Sequence, residues 1–274
     1  NEAEITGNVE TTLACSSETS TVSIGSFYGG SNKANITGDV TLNVYGGTYT
    51  NVFGGSKGVV DDPDTDDDES ISADITGDVT LNLYGGTITN AYGGGESTDV
   101  TEGTNITLNG TVTNLYGGSD SNGTVNASFV NVNGMATDVY GGNDANGTPN
   151  GTINVYINSG NQTNIFGGGN KAALEGDATV LVNTSSASGV YGGGNAADVD
   201  GNATITIGTE ELPSKTKITA DVFGGGFGAG TKVTGNVAVN IGGETKQTGY
   251  AEISGNVYGG SAKGTVNANE NEGK

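Results

Sequence analysis

One short motif recurs along the whole chain: an aromatic residue followed by two glycines. The motif occurs eleven times, and nine occurrences form one series whose aromatic residues are separated by 25, 39, 24, 24, 26, 25, 32 and 35 residues. The nine aromatic positions of this series are Tyr28, Phe53, Tyr92, Tyr116, Tyr140, Phe166, Tyr191, Phe223 and Tyr258, and the remaining two occurrences begin at Tyr45 and Tyr84. Fixed periods of roughly 20–50 residues are typical of solenoids, propellers and arrays. The chain is therefore expected to fold as a stack of similar units.

Each unit contains short stretches in which every second residue is apolar. Residues 40–44, Val-Thr-Leu-Asn-Val, return in closely similar form at residues 79–83 and 237–241. This period of two, rich in Val, Ile and Thr, predicts strands, and the intervening Gly, Asn and Asp predict turns. Three strands fit one coil of a parallel β-helix of about 25 residues, whereas a propeller blade needs four strands and about 40–45 residues. We predict an all-β fold, a right-handed parallel β-helix of about nine coils that forms a single domain over residues 1–274.

When the repeats are aligned with one another, the apolar residues fall into columns, although only 32% of the chain is hydrophobic. The most regular column is predicted to be core and contains Val52, Ala91, Leu115, Val139, Ile165, Val190, Val222 and Val257. A polar column is predicted to form an asparagine ladder and contains Asn109, Asn133, Asn158 and Asn183. Asp and Asn alternate at another turn position, so ionisation is not required there and no catalytic carboxylate pair stands out.

Composition excludes several classes of function. The chain has 31 acidic and 9 basic residues, a net charge of −22, no histidine and a single cysteine. Such a surface repels nucleic-acid phosphate, and no apolar stretch is long enough to insert into a membrane. Without histidine there is no Ser-His-Asp triad and no His-ligated zinc, and one cysteine cannot form an internal disulfide.

The aromatic column is one candidate ligand site. If its rings face solvent, Tyr92, Tyr116, Tyr140 and Tyr191 would form a stacking platform for sugar rings. The alternative is a purely structural ladder of stacked aromatic rings at a corner of each coil.

Insertions break the repeat near residues 57–73, 208–219 and 243–250. The first is strongly acidic and is interpreted either as a solvated loop or as a calcium site, because Ca²⁺ binds six to eight oxygen ligands. Its candidate ligands are Asp61, Asp62, Asp64, Asp66, Asp67 and Asp68. Asp120 and Asp144 are further calcium candidates, since their turns distantly resemble glycine-rich calcium-binding repeats. Ordinary Asx turns explain these two residues equally well.

Paired threonines raise a minor alternative, ice binding. Residues 48–50, 87–89 and 111–113 each read Thr-x-Thr, which would stack three deep. The later repeats lose one threonine of the pair or both, whereas ice recognition needs a long and uniform array.

Residues 36–47, Ile-Thr-Gly-Asp-Val-Thr-Leu-Asn-Val-Tyr-Gly-Gly, together with the repeated Val-Tyr/Phe-Gly-Gly, resemble the repeat regions of large bacterial cell-surface, adhesin-like proteins. The resemblance implies an extracellular stalk or adhesive shaft with no assigned active residues. Its expected partners are glycans or surface proteins of a host or of other microbes.

We therefore expect an extracellular structural or adhesive module without catalytic activity. The alternative is a carbohydrate-binding or polysaccharide-cleaving β-helix that uses the aromatic column and acidic residues, since a glycosidase needs only two carboxylates. Repeats begin at Ile5 and break off after Ala268, from which we expect either flanking sequence or copies that stack end to end.

Overall fold

The computed structural model describes residues 4–13, 22–59, 73–183, 186–209, 216–242 and 251–266. All regular elements in these ranges are β-strands, and none of the ranges contains a helix that could cross a membrane. The strands are β1 (Glu4–Ile5), β2 (Val9–Leu13), β3 (Ser23–Tyr28), β4 (Asn35–Ile36), β5 (Val40–Val44), β6 (Thr48–Phe53), β7 (Val79–Leu83), β8 (Thr87–Tyr92), β9 (Thr104–Leu108), β10 (Thr111–Tyr116), β11 (Ser128–Val132), β12 (Met135–Tyr140), β13 (Ile153–Ile157), β14 (Asn161–Phe166), β15 (Ala178–Val182), β16 (Ser186–Tyr191), β17 (Ala203–Ile207), β18 (Thr216–Ile218), β19 (Val222–Phe223), β20 (Lys232–Val233), β21 (Val237–Ile241), β22 (Ala251–Ile253), β23 (Val257–Tyr258) and β24 (Thr265–Val266).

The strands stack in two long parallel sheets. The first sheet has nine strands in the order β2-β5-β7-β9-β11-β13-β15-β17-β21. The second sheet runs β3-β6-β8-β10-β12-β14-β16-β18-β22, with β19 and β23 alongside. A third side is made of two short strand pairs and isolated parallel bridges, such as Ile36 with Ile75 and Val199 with Val233. The predicted parallel β-helix is thereby confirmed as the fold class, and its handedness stays a prediction.

Register is kept from coil to coil, even across the insertions. Leu42 pairs with Leu81 although 39 residues separate them, and Leu81 pairs with Ile106 after only 25. Residues 60–72 of the first insertion, 210–215 of the second and the whole third insertion lie outside the described residues. The described strands on either side of each insertion therefore keep the register of the stack.

The predicted core column is confirmed over most of its length. Its members from Val52 to Val222 are fully buried, whereas Val257 is exposed in the outermost coil. Burial follows the strand alternation, so that Val40, Leu42 and Val44 point inward while Thr41 and Asn43 point outward. The thin core thus comes from a few aliphatic residues placed in the same position of every coil.

The glycines after each aromatic residue allow successive coils to approach closely. A Cβ atom added to Gly117 would lie 1.9 Å from the carbonyl oxygen of Gly141 in the next coil. A Cβ atom added to Gly93 would lie 2.3 Å from the carbonyl oxygen of Gly117, and one added to Gly141 would lie 2.3 Å from that of Gly167. Any larger residue there would push two coils apart, which explains why glycine recurs at this position.

Polar ladders connect the turns, as the sequence predicts. Asn133 Nδ2 donates to Asn109 Oδ1 at 3.1 Å, and Asn158 Nδ2 donates to Asn133 Oδ1 at 3.0 Å. At the alternating Asp/Asn position, the backbone N–H of Asp78 donates to Asp39 Oδ1 at 3.1 Å. The backbone N–H groups of Asn202 and Asn236 make the same bond to the preceding Asp or Asn. A carboxylate and an amide oxygen accept this bond equally, so these positions need no charge.

The two outermost coils have open strand edges within the described residues. Strands β2 and β3 pair on one side only, and so do β21 and β22. Exposed apolar side chains accompany these edges, namely Ile5 at one end and Ile241, Val257 and Tyr258 at the other. Open edges accept further strands, and the end-to-end stacking of copies stays a prediction.

Candidate functional site

The aromatic column forms one continuous stack of rings. Successive ring centroids are 4.7 to 5.5 Å apart and the ring planes are within 12° of parallel. This spacing follows from the distance between parallel strands, about 4.8 Å, because each coil contributes one ring. The column comprises Tyr28, Phe53, Tyr92, Tyr116, Tyr140, Phe166, Tyr191, Phe223 and Tyr258.

The four tyrosines predicted as a sugar platform do not offer a free ring face. Tyr92 and Tyr116 are each 4% exposed, Tyr140 is 7% exposed and Tyr191 is 8% exposed. Both faces of each ring are covered by the rings of the two neighbouring coils. A sugar ring could stack on them only if the column opened. The solvent exposure on which that hypothesis depended is therefore absent.

A column of carboxylates runs beside the tyrosine hydroxyls. Glu96, Asp120 and Asp144 each lie four residues after the aromatic residue of their own coil. The Tyr28 hydroxyl donates a hydrogen bond to the Glu96 carboxylate. In the same way, the hydroxyls of Tyr92 and Tyr116 hydrogen-bond to Asp120 and Asp144. The structure thus couples two columns that the sequence pattern alone did not connect.

Burial is the main cause of the raised pKa values of the tyrosines and of Asp120 in these two columns. Burial of the side chain raises the pKa of the Asp120 carboxyl, and repulsion from Asp144 raises it further, against hydrogen bonds from Ser121 and Tyr92. Burial, with added repulsion from Asp138 and Asp144, raises the pKa of Tyr140 to about 12. Burial, with added repulsion from Asp120 and Asp144, also raises the pKa values of Tyr92 and Tyr116. These phenols therefore remain protonated hydrogen-bond donors at neutral pH.

The calcium hypothesis stays a prediction. Asp61, Asp62, Asp64, Asp66, Asp67 and Asp68 lie outside the described residues. Asp120 is bonded by Tyr92 and Ser121, and Asp144 accepts a bond of 2.6 Å from Asn170 Nδ2. Across the described ranges, no three acidic or cysteine side chains are grouped closely enough to hold a metal ion.

The outward face of the second sheet carries hydroxyl groups. One column of it consists of Thr50, Thr89, Thr113, Thr137, Thr163, Ser188 and Thr219. The neighbouring column begins with threonine in the same way but changes to Met135 and Asn161. Met135 is 49% exposed and borders a shallow hollow of about 310 Å³ that extends from Thr111 to Ser188. The hollow and Met135 interrupt the flat array that ice binding requires.

The outward face of the first sheet holds a feature that sequence reasoning missed. Most outward positions of its strands are Thr or Asn, but three adjoining positions are apolar: Phe129, Tyr156 and Leu181. The rings of Phe129 and Tyr156 meet edge to face, with centroids 4.9 Å apart. We call these three residues the aromatic patch. The sequence could have revealed them, because they are apolar at outward strand positions where the other repeats mostly have Thr or Asn.

A small hollow adjoins the aromatic patch. Its volume is about 120 Å³ and its polar side chains include Asp78, Glu102, Asn105 and Asn154, with Phe129 at its rim. The hollow lies where the third side of the solenoid turns into the first sheet. It brings amide groups, carboxylates and an aromatic ring together on one open surface.

No family model, curated protein or solved structure matches the chain. The resemblance to adhesin-like repeats therefore rests on the sequence motifs alone.

Proposed function

We propose that the chain is an extracellular structural or adhesive module of a bacterial surface protein, without catalytic activity. The observation that carries this proposal is the constant register of the first sheet, in which each of nine strands pairs with its equivalent one coil away. A repeated scaffold of this kind separates or displays other parts of a protein. The extracellular location rests on the resemblance of the repeats.

Stacking between neighbours gives such a module its cohesion. In a repeat protein each unit contacts only the units beside it, and stability is approximately a sum of these interfaces. Here every interface combines backbone pairing, buried aliphatic residues, stacked rings and the Asx ladders. Added coils lengthen the scaffold and leave each existing interface unchanged.

The chemistry of the acidic residues favours a scaffold over an enzyme. A glycosidase requires two carboxyl groups, one acting as an acid and the other as a base or nucleophile, that face each other across a substrate. The half-buried carboxylates Asp120 and Asp144 instead accept hydrogen bonds from the hydroxyls of the aromatic column. The turn residues Asp39 and Asp177 accept backbone N–H groups.

A degradation assay tests the non-catalytic part of this proposal. The folded chain is incubated with a panel of neutral and acidic polysaccharides, and new reducing ends or unsaturated ends are measured. The matched control is the same chain after thermal unfolding. We expect no difference between the two samples, and product release that depends on the folded chain would overturn the proposal.

A further inference from the structure

We propose that the aromatic patch and the adjoining hollow bind a neutral glycan. This inference rests on the proposed adhesive function and names the ligand class and the site. It places sugar recognition on Phe129 and Tyr156 of the first sheet, away from the buried aromatic column.

The aromatic patch departs from the pattern of its own repeat. Phe129 pairs in register with Asn105 on one side and Asn154 on the other. Tyr156 pairs with Asn131 and with Leu181. In other coils these two outward positions are occupied by residues such as Thr41, Asn43, Thr80 and Asn82.

The rings of the patch add nothing to the solenoid core. The strand alternation points Phe129 and Tyr156 outward, where both side chains are partly exposed. Apolar side chains grouped on an outer surface often mark a site of interaction. Here they lie beside hydrogen-bonding groups, a combination that suits a ligand with both apolar and hydroxyl surfaces.

A sugar presents both kinds of surface. Its C–H groups pack on an aromatic ring, and its hydroxyls need donors and acceptors at the ring edge. Asn105 and Asn154 provide amide donors and acceptors on either side of Phe129, about 4.8 Å away along the stack. Asp78 and Glu102 supply carboxylate acceptors for hydroxyl donors.

Charge selects a neutral ligand over an acidic one. The polar lining of the hollow contains two carboxylates and no lysine, and the chain as a whole carries a net charge of −22. Sulfated, phosphorylated or uronic-acid sugars would bring a further negative charge against Asp78 and Glu102. The hollow of about 120 Å³ has room for a few hydroxyl groups of a sugar, while the sugar ring packs on Phe129.

A glycan array tests the site on the whole chain. The probes are neutral oligomers of glucose, galactose, mannose and N-acetylglucosamine, with sialylated and sulfated glycans as the charged set. We expect binding within the neutral set and none within the charged set. Binding confined to charged glycans, or no binding to any glycan, would overturn the inference.

Substitutions to the residue used elsewhere in the repeat then locate the site. Phe129→Thr and Tyr156→Thr introduce the threonine found at the equivalent positions of other coils, and a titration calorimeter measures affinity for the best neutral glycan. We expect at least tenfold weaker binding for each variant and also for Asn154→Ala. The matched control is Tyr45→Thr, which removes an exposed tyrosine that stacks on Tyr84 away from the patch.

Thermal unfolding of each variant, followed by circular dichroism, confirms that any lost affinity belongs to a folded chain. Equal affinity in the two ring variants and the parent would place the glycan elsewhere and refute the assignment. Failure of this inference is distinct from failure of the proposed function. A folded chain that neither binds nor cleaves glycans refutes only the glycan site, whereas cleavage refutes the scaffold proposal.

Discussion

Asp120 shows how a single residue departs from the polar ladders around it. Along its column, Asn170 Nδ2 donates to Asp144 Oδ1 at 2.6 Å, and Asn195 Nδ2 donates to Asn170 Oδ1 at 2.8 Å. Asp144 and Asp120, one coil apart, are both acceptors when ionised and repel each other. Side-chain hydrogen bonds therefore connect the column from Asp144 to Asn195, whereas the carboxylates of Asp144 and Asp120 repel each other.

Replacing Asp120 by Asn should stabilise the fold. The amide keeps an acceptor for the Tyr92 hydroxyl and adds a donor that can reach Glu96, as the asparagines further along the column reach their neighbours. We expect the Asp120→Asn variant to gain up to about 1 kcal/mol in unfolding free energy at pH 7, since the half-exposed site is partly screened. Thermal and urea unfolding measure the change, and a lower stability at pH 7 would count against this reading of the column.

The same variant has a defined pH dependence. Because the pKa of Asp120 is raised in the folded chain, the folded state binds this proton more tightly than the unfolded state does. Its contribution to stability is therefore present at acidic pH and is lost as pH rises through the folded-state pKa. The advantage of Asp120→Asn over the parent chain should accordingly shrink as the pH is lowered from 7 towards 4.

At the scale of elements, the aromatic column and the exposed tyrosine pair provide a direct comparison. Tyr116 lies between Tyr92 and Tyr140 with centroid distances of 4.8 Å on both sides, and it is almost fully buried. Tyr45 stacks on Tyr84 at 4.6 Å but is 49% exposed. Tyr116 and Tyr45 therefore stack at similar distances, but only Tyr116 is buried.

Truncation should therefore have very different costs in the two places. Tyr116→Ala should lower the unfolding free energy by about 3–5 kcal/mol, as removal of large buried rings does. Tyr116→Phe, which loses only the bond to Asp144, should cost about 1 kcal/mol. Tyr45→Ala, the exposed control, should cost less than about 1 kcal/mol. Equal losses for Tyr116→Ala and Tyr45→Ala would show that the column is not a structural element.

The strands and their inward faces could be predicted from the sequence, while the aromatic rings could not be placed. The aligned apolar column that contains Leu115 and Val139 was predicted to be interior, because a period of two leaves only two faces. The rings lie at the end of a strand next to a bend, where Val52 and Phe53 are both buried. Two consecutive buried residues break the alternation, so exposure there depends on the path of the bend.

The contacts between columns could not be predicted either, because they depend on how the coils stack. Glu96 and Tyr28 are 68 residues apart and belong to non-adjacent coils, so repeat spacing gives no indication that they touch. The aromatic patch was visible as Phe129 and Tyr156 at outward positions. It became a candidate site only when the turn carrying Glu102 was placed beside it.

The whole molecule is a stack held together mainly by contacts between adjacent coils. The strand pairs of both long sheets join equivalent strands of successive coils throughout the described residues. The insertions change the length of a coil and leave the pairing register intact, as Leu42 and Leu81 show. Such a stack should come apart by losing coils from its ends, since its strand pairs join successive coils and the contact of Tyr28 with Glu96 reaches only one coil further.

Stretching single molecules between their two ends in optical tweezers shows whether the coils unfold one at a time. We predict stepwise extension in which one coil of about 25 residues releases about 8 nm of chain, with longer steps for the three coils that carry insertions. Refolding at reduced force should retrace the same steps. A single length change corresponding to the whole chain would contradict coil-by-coil unfolding, because it would show one cooperative core in place of a stack of neighbouring coils.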